Sequence, residues 1–112
     1  MPEKNVIVLI KSRPFSTLNY YEALRVAAGL WEHRTIILWM GDGVYAALKT
    51  ADGRLTEKFF IDFPDLDTEL YAEEDALRER GLNASDILPG IKVVNRDEIT
   101  ELLREADASL VF

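Results

Sequence analysis

The 112-residue chain predicts an α/β fold, a parallel sheet with helices on both of its faces. Three observations carry that prediction. Short, continuous apolar runs rich in β-branched residues recur along the chain, as strands buried on both faces require. Segments whose apolar residues repeat at helical spacing alternate with them. Two capping-box spacings, Asn19/Glu22 and Asn95/Glu98, each stand ahead of such a segment as helix start signals.

The elements follow in order. "NVIVLI", 5–10, is the first strand. The first helix opens at Asn19, and Tyr21, Leu24, Ala28 and Trp31 recur along one of its faces. "TIILWM", 35–40, is the second strand and "ELYA", 69–72, a weaker third. A charged helix then runs to Gly81, a residue suited to the left-handed conformation after a helix, with Leu82 placed to touch Leu77. "IKVV", 91–94, is the fourth strand. The last helix places Ile99, Leu102, Leu103 and Ala106 at i, i+3, i+4 and i+7, and "ASLVF", 108–112, closes the sheet. Residues 50–68 show no period, so a loop with a short helix around 55–60 is expected there. With no repeat, linker or low-complexity tract, a single domain over 1–112 is expected.

Composition narrows the function classes. With 48% hydrophobic and 29% charged residues, the chain reads as an ordinary globular protein. No apolar run approaches the ~20 residues that span a bilayer, and the first residues carry no cleavage pattern, so a cytoplasmic protein is expected. The net charge of −7 is uneven: +2 over 1–56, −6 over 57–80 and −3 over 81–112. Such a surface repels phosphate backbones, and neither nucleic acid nor membrane is an expected partner. The absence of cysteine excludes disulfides, thiolate metal sites, iron–sulfur clusters and thiol nucleophiles. A single histidine, His33, cannot build a multi-histidine site; it reads as a polar residue at a helix end. No metal or cofactor is expected.

In open parallel sheets, ligands bind outside the carboxyl ends of the strands, and three segments land there. In "KSRPFST", 11–17, Lys11, Ser12 and Arg13 are candidates to hold an anion near the first helix's amino terminus; the alternative is a solvated loop turned by Pro14. In "MGDGVY", 40–45, Gly41 and Gly43 bracket Asp42, which is placed to cap a helix starting at Val44. Asp42 and Gly43 are ligand candidates too, because a glycine-flanked turn lets the backbone come close to a ligand or a neighbouring subunit. The turn has neither P-loop nor dinucleotide spacing. At the third junction Glu73, Glu74 and Asp75 occupy the first turn of a helix, where the dipole favours negative charge. The "NAS" sequon at 83–85 reads as a chance match. No acid/base pair or activated nucleophile can be assembled from these segments, so catalytic residues are not expected.

The strand "VIVLIKSRPF", the helix "YYEALRVAAGL", "DGVYAALK", "ALRERGL" and the closing "ILPGIKVVNRDEITELLREADASLVF" together resemble the DsrE/DsrF-like family, which includes the sulfur-relay subunits DsrE, DsrF, TusC and TusD. The likeness covers nearly the whole chain. It implies a three-layer α/β/α fold with a five-stranded parallel sheet, and assembly into trimers or hexamers. Members that pass sulfur carry it as a persulfide on a cysteine after the third strand; alignment on Leu77 or Gly81 puts that position at Ala72 or Glu73. The resemblance therefore implies a non-catalytic, interaction-type member, an accessory subunit in sulfur relay. Its expected partners are itself and a cysteine-bearing DsrE-like or TusD-like protein. The alternative is a small-ligand-binding module using the loops at 11–17 and 41–45. Leu38, Trp39, Met40, Tyr45, Phe59, Phe60, Phe63 and Tyr71 add more large apolar residues near the strand ends than one core readily hides. A closed homo-oligomer with contacts from 55–72 is expected on that ground too.

Overall fold

The apolar runs become five strands, β1 (Asn5–Ile10), β2 (Arg34–Trp39), β3 (Glu69–Glu73), β4 (Ile91–Val94) and β5 (Ala108–Val111). The computed structural model describes residues 4–11, 19–29, 33–48 and 68–112. Among the described residues three α-helices lie between the strands: α1 (Asn19–Gly29), α2 (Glu74–Glu79) and α3 (Arg96–Glu105). The same residues include two 3₁₀ helices, Gly41–Ala47 and Ala84–Asp86. All strand pairs are parallel, in the order β4-β3-β2-β1-β5. This is the expected α/β/α fold with a five-stranded parallel sheet. The loop expected over 50–68 lies outside the described residues, apart from Thr68.

Strand periodicity divides the core in two. Val8, Ile10, Ile37, Trp39 and Ala72 point to one face and meet Ala23, Leu24 and Ala27 of α1, with Ala76 and Leu77 of α2. Ile7, Leu9, Ile36, Leu38 and Val94 point to the other and meet Ile99 and Leu102 of α3 and Ala106 at its end. The right-handed rule for parallel crossovers leads to such a division. The chain steps one way from β1 to β4 with helices on one face, then returns over the other face through α3 to reach β5. Leu38 and Trp39 are wholly buried, so these two belong to the interior and do not enlarge the surface apolar set. Tyr45 lies at the exposed border, while Phe59, Phe60 and Phe63 fall outside the described residues.

The helix ends follow local chemistry. Asn95 Oδ1 accepts from the Glu98 amide at 2.9 Å, and Glu98 Oε1 accepts from the Asn95 amide at 3.2 Å. The expected capping box therefore opens α3. Helix α2 stops in a Schellman motif: the Leu82 amide donates to Leu77 O at 2.8 Å and the Gly81 amide to Arg78 O at 3.2 Å, with Gly81 at φ +69°. Asn83 and Asp86 form a further capping box around the short 3₁₀ turn, which gives the sequon asparagine a structural use. His33 accepts from the Lys4 amide at 3.1 Å just before β2.

At the amino ends of β2 and β3, Arg34 grips Glu69 with two bonds of 2.7 and 3.2 Å, and the Tyr71 hydroxyl donates to the same carboxylate at 3.0 Å. The Arg34 bond holds the Glu69 carboxyl below its ordinary range against the opposing effect of burial. Burial, and then the bond to Glu69, push the Tyr71 phenol up. This cluster ties the two strands at the end remote from the expected site.

Candidate functional site

The carboxyl ends of the strands carry every candidate residue that lies among the described ones. Strand β1 ends at Ile10, whose carbonyl accepts from the Met40 amide at 2.9 Å. The chain then turns at Gly41, which has φ +51°. The Gly43 amide donates to Met40 O at 2.8 Å, and the 3₁₀ helix begins. Gly43 lies directly against the end of β1: a Cβ built there would stand 2.1 Å from Ile10 O. No side chain longer than hydrogen fits at that crossing.

Asp42 corrects the sequence reading. The helix starts at Gly41 rather than Val44, and its N-cap position, Met40, makes no side-chain cap bond. Asp42 instead binds Arg80, whose Nη2 and Nε donate to Oδ1 at 2.8 and 3.3 Å. Arg80 also donates from Nη1 to Ala76 O at 3.0 Å and lies 5.9 Å from the centre of the Tyr45 ring. Its side chain is only 19% exposed, and the Asp42 bond raises its already high pKa. One guanidinium thus fastens the end of α2 to the turn after β2. Sequence reasoning placed Tyr45 in the candidate loop but did not bring Arg80 to it, because 38 residues separate Arg80 from Asp42 and only the strand order unites them.

The junction after β3 is built on the same turn. Ala72 is fully buried on the α1/α2 face, while Glu73 is the half-buried residue preceding α2. The Gly41 amide donates to Glu73 Oε1 at 3.1 Å. Beyond it, Asp75 accepts from Arg78 and, at 3.3 Å, from Arg96 of α3. Glu74 lies 3.9 Å from Arg78. The carboxylates of the first turn are thus drawn into ion pairs as well as favoured by the dipole.

Lys11 is exposed at the end of β1, and its amide donates to Phe112 O at 2.8 Å. Ser12 and Arg13 lie outside the described residues, so the structure brings together Asp42, Gly43, Ala72 and Glu73 from the candidate set. Among the described residues no group of three or more histidine, cysteine, aspartate or glutamate side chains is arranged to hold a metal ion. No described helix is long and apolar enough to cross a membrane.

A three-layer fold of five parallel strands, with its junctions gathered at the carboxyl edge, defines the class. The sequence profile of the DsrE/DsrF-like family matches residues 4–112, and the chain belongs to that family. Among curated proteins no sequence gives a significant match. Among solved structures the fold is similar to the YchN protein from Escherichia coli, with a TM-score of 0.82 and 19% identity over 99% of this chain and 100% of that one. It is also similar to MTH1491 from Methanobacterium thermoautotrophicum, a protein of unknown function, with a TM-score of 0.75 and 18% identity over 98% of this chain and 100% of that one. At these identities the likeness is one of fold.

Proposed function

We propose that this chain is a non-catalytic, interaction-type DsrE/DsrF-like subunit, an accessory component of sulfur relay in the cytoplasm. One observation carries the reading. The junction after β3 is a strand end followed by a helix start, with the Gly41 amide directed at residue 73, and it holds Ala72 and Glu73 in a chain without cysteine. A persulfide needs a thiol, so sulfur must be carried by another subunit. The chain then contributes surface and geometry. Its partners are copies of itself, in a trimer or hexamer, and a cysteine-bearing DsrE-like or TusD-like protein.

The small-ligand alternative would use the loops at 11–17 and 41–45. In that reading a ligand competes with Arg80 for the Asp42 carboxylate, and the main chain at Gly43 is already closed by Ile10. Native mass spectrometry of the complex drawn from the source cell separates the two. A mass that includes a cysteine-bearing homologue is the expected result. The chain alone with a bound small molecule would overturn the accessory reading in favour of the alternative.

A further inference from the structure

Strand β5 stands at the end of the sheet, and all four of its residues are exposed, Val111 to 61%. Among the described residues it pairs only with β1. The direction of its backbone groups can be followed from the bonds at its end. The Phe112 amide donates to Leu9 O at 2.9 Å, and Phe112 O accepts from the Lys11 amide at 2.8 Å, so Phe112 turns both groups toward β1. Alternation in a parallel ladder gives Leu110 and Ala108 the same direction. Ser109 and Val111 therefore turn their N–H and C=O groups away from the sheet.

We propose that this edge is a two-fold interface between two copies of the chain, paired antiparallel through β5. Opposing Ser109 to Val111 of the second copy, and Val111 to its Ser109, forms four backbone hydrogen bonds and uses every outward group of the strand. That register sets Leu110 opposite its own counterpart at a non-hydrogen-bonded position, where Cα atoms approach to about 4.5 Å. Leu110 is 38% exposed in the single chain and gains a neighbour of its own kind.

The occupant follows from charge. Two chains of −7 repel through most of their surfaces, and β5 is an uncharged strip. It has no lysine, proline or bulge, the devices that usually blunt an edge, whereas the opposite edge strand β4 exposes Lys92. The two-fold also brings the start of one β5, beside exposed Glu105 and Asp107, to the end of the other, beside exposed Lys11. Opposite charges thus flank an apolar centre on both sides of the axis.

This inference deepens the assembly part of the proposed function, and the test separates their failures. Ser109→Pro removes an outward N–H that β1 does not use, and proline is accommodated on an edge strand in that orientation. Sedimentation of the wild type at tens of micromolar should show an even-numbered assembly, with Ser109→Pro halving the sedimenting mass. An unchanged mass in a folded variant would leave assembly standing and remove β5 from it. A closed trimer of the wild type would do the same, since a three-fold ring contains no two-fold contact. A monomeric wild type would sink both ideas. Should Ser109→Pro not fold, amide exchange on the wild type decides: Ser109 and Val111 are expected to be protected at high concentration and to exchange freely on dilution, and free exchange at both concentrations would refute the interface.

Discussion

The Gly41 amide donates to Glu73 Oε1 at 3.1 Å across 32 residues of sequence, joining the turn after β2 to the junction after β3. It also distinguishes Ala72 from Glu73, the two positions that counting along the sequence offers for the family's cysteine. Ala72 faces the core and is wholly buried, whereas position 73 opens toward the carboxyl edge. Only the second is fit to present a sulfur atom.

A thiol should therefore behave oppositely at the two positions. In Ala72→Cys, burial raises the thiol pKa and blocks access, so alkylation is expected only after denaturant is added. In Glu73→Cys the thiol remains within reach and should react in the native protein. Its pKa should lie close to the ~8.5 of a free thiol, because the Gly41 amide favours the thiolate and the nearby acids oppose it. Alkylation rate against pH in both variants is the measurement. Native reactivity at 72, or its absence at 73, would reverse the assignment.

Gly81 should resist replacement. Its φ of +69° closes the Schellman motif, and no neighbouring atom within 4 Å would oppose a side chain, so the cost is conformational alone. Gly81→Val is expected to lose roughly 1–3 kcal/mol and Gly81→Asn clearly less. Equal unfolding midpoints for the two variants would contradict this account.

Gly43 should fail for a different reason. Its backbone is compatible with a side chain, but a methyl group there meets the Ile10 carbonyl, a rigid neighbour at the end of the interior strand β1. Gly43→Ala is expected to cost about 3 kcal/mol, at the upper end of overpacking. Gly29→Ala, where the added carbon meets nothing within 4 Å, serves as the comparison and should be close to neutral. Urea unfolding of the two variants tests the contrast.

Acid should release the Arg34–Glu69 pair. The folded carboxyl is held below its ordinary range, so the unfolded chain takes up its proton first as pH falls. The contribution is complete above the ordinary carboxylate range and is lost as pH drops through the folded value. Both side chains are about one-third exposed, at 38% and 34%, so solvent limits the effect to below about 1 kcal/mol. Glu69→Gln should therefore lose less stability than the wild type between about pH 5 and about pH 3. Parallel acid slopes would refute the assignment.

Much of the fold was legible because its signals are local. β-Branched runs marked β1, β2 and β4, shorter apolar stretches marked β3 and β5 more weakly, and Asn95 with Glu98 marked the start of α3. Gly81 marked the end of α2 because only a backbone tolerant of positive φ closes that motif. The site was less legible. Asp42 looked like a cap because aspartate between glycines often is one, but the partner that claims it stands 38 residues away on another element. Arg34 and Glu69 likewise meet only because β2 and β3 are neighbours. In the sequence Asn83 reads only as part of a chance sequon, and its capping box with Asp86 serves a turn too short to leave a helical period.

The strand order bears on how the protein emerges from the ribosome. Strand β1, made before the other four strands, has β2 on one flank and β5 on the other, and β5 lies 102 residues later where Val6 is paired with Ala108. Closing so wide a span costs entropy that only the finished sheet repays. Until Val111 has been synthesised, the most apolar strand of the protein presents a bare flank to the cell. The nascent chain is therefore most prone to sticking between the making of β4 and that of β5. A pause in that interval would lengthen the exposure, whereas uninterrupted synthesis of β5 would seal the sheet.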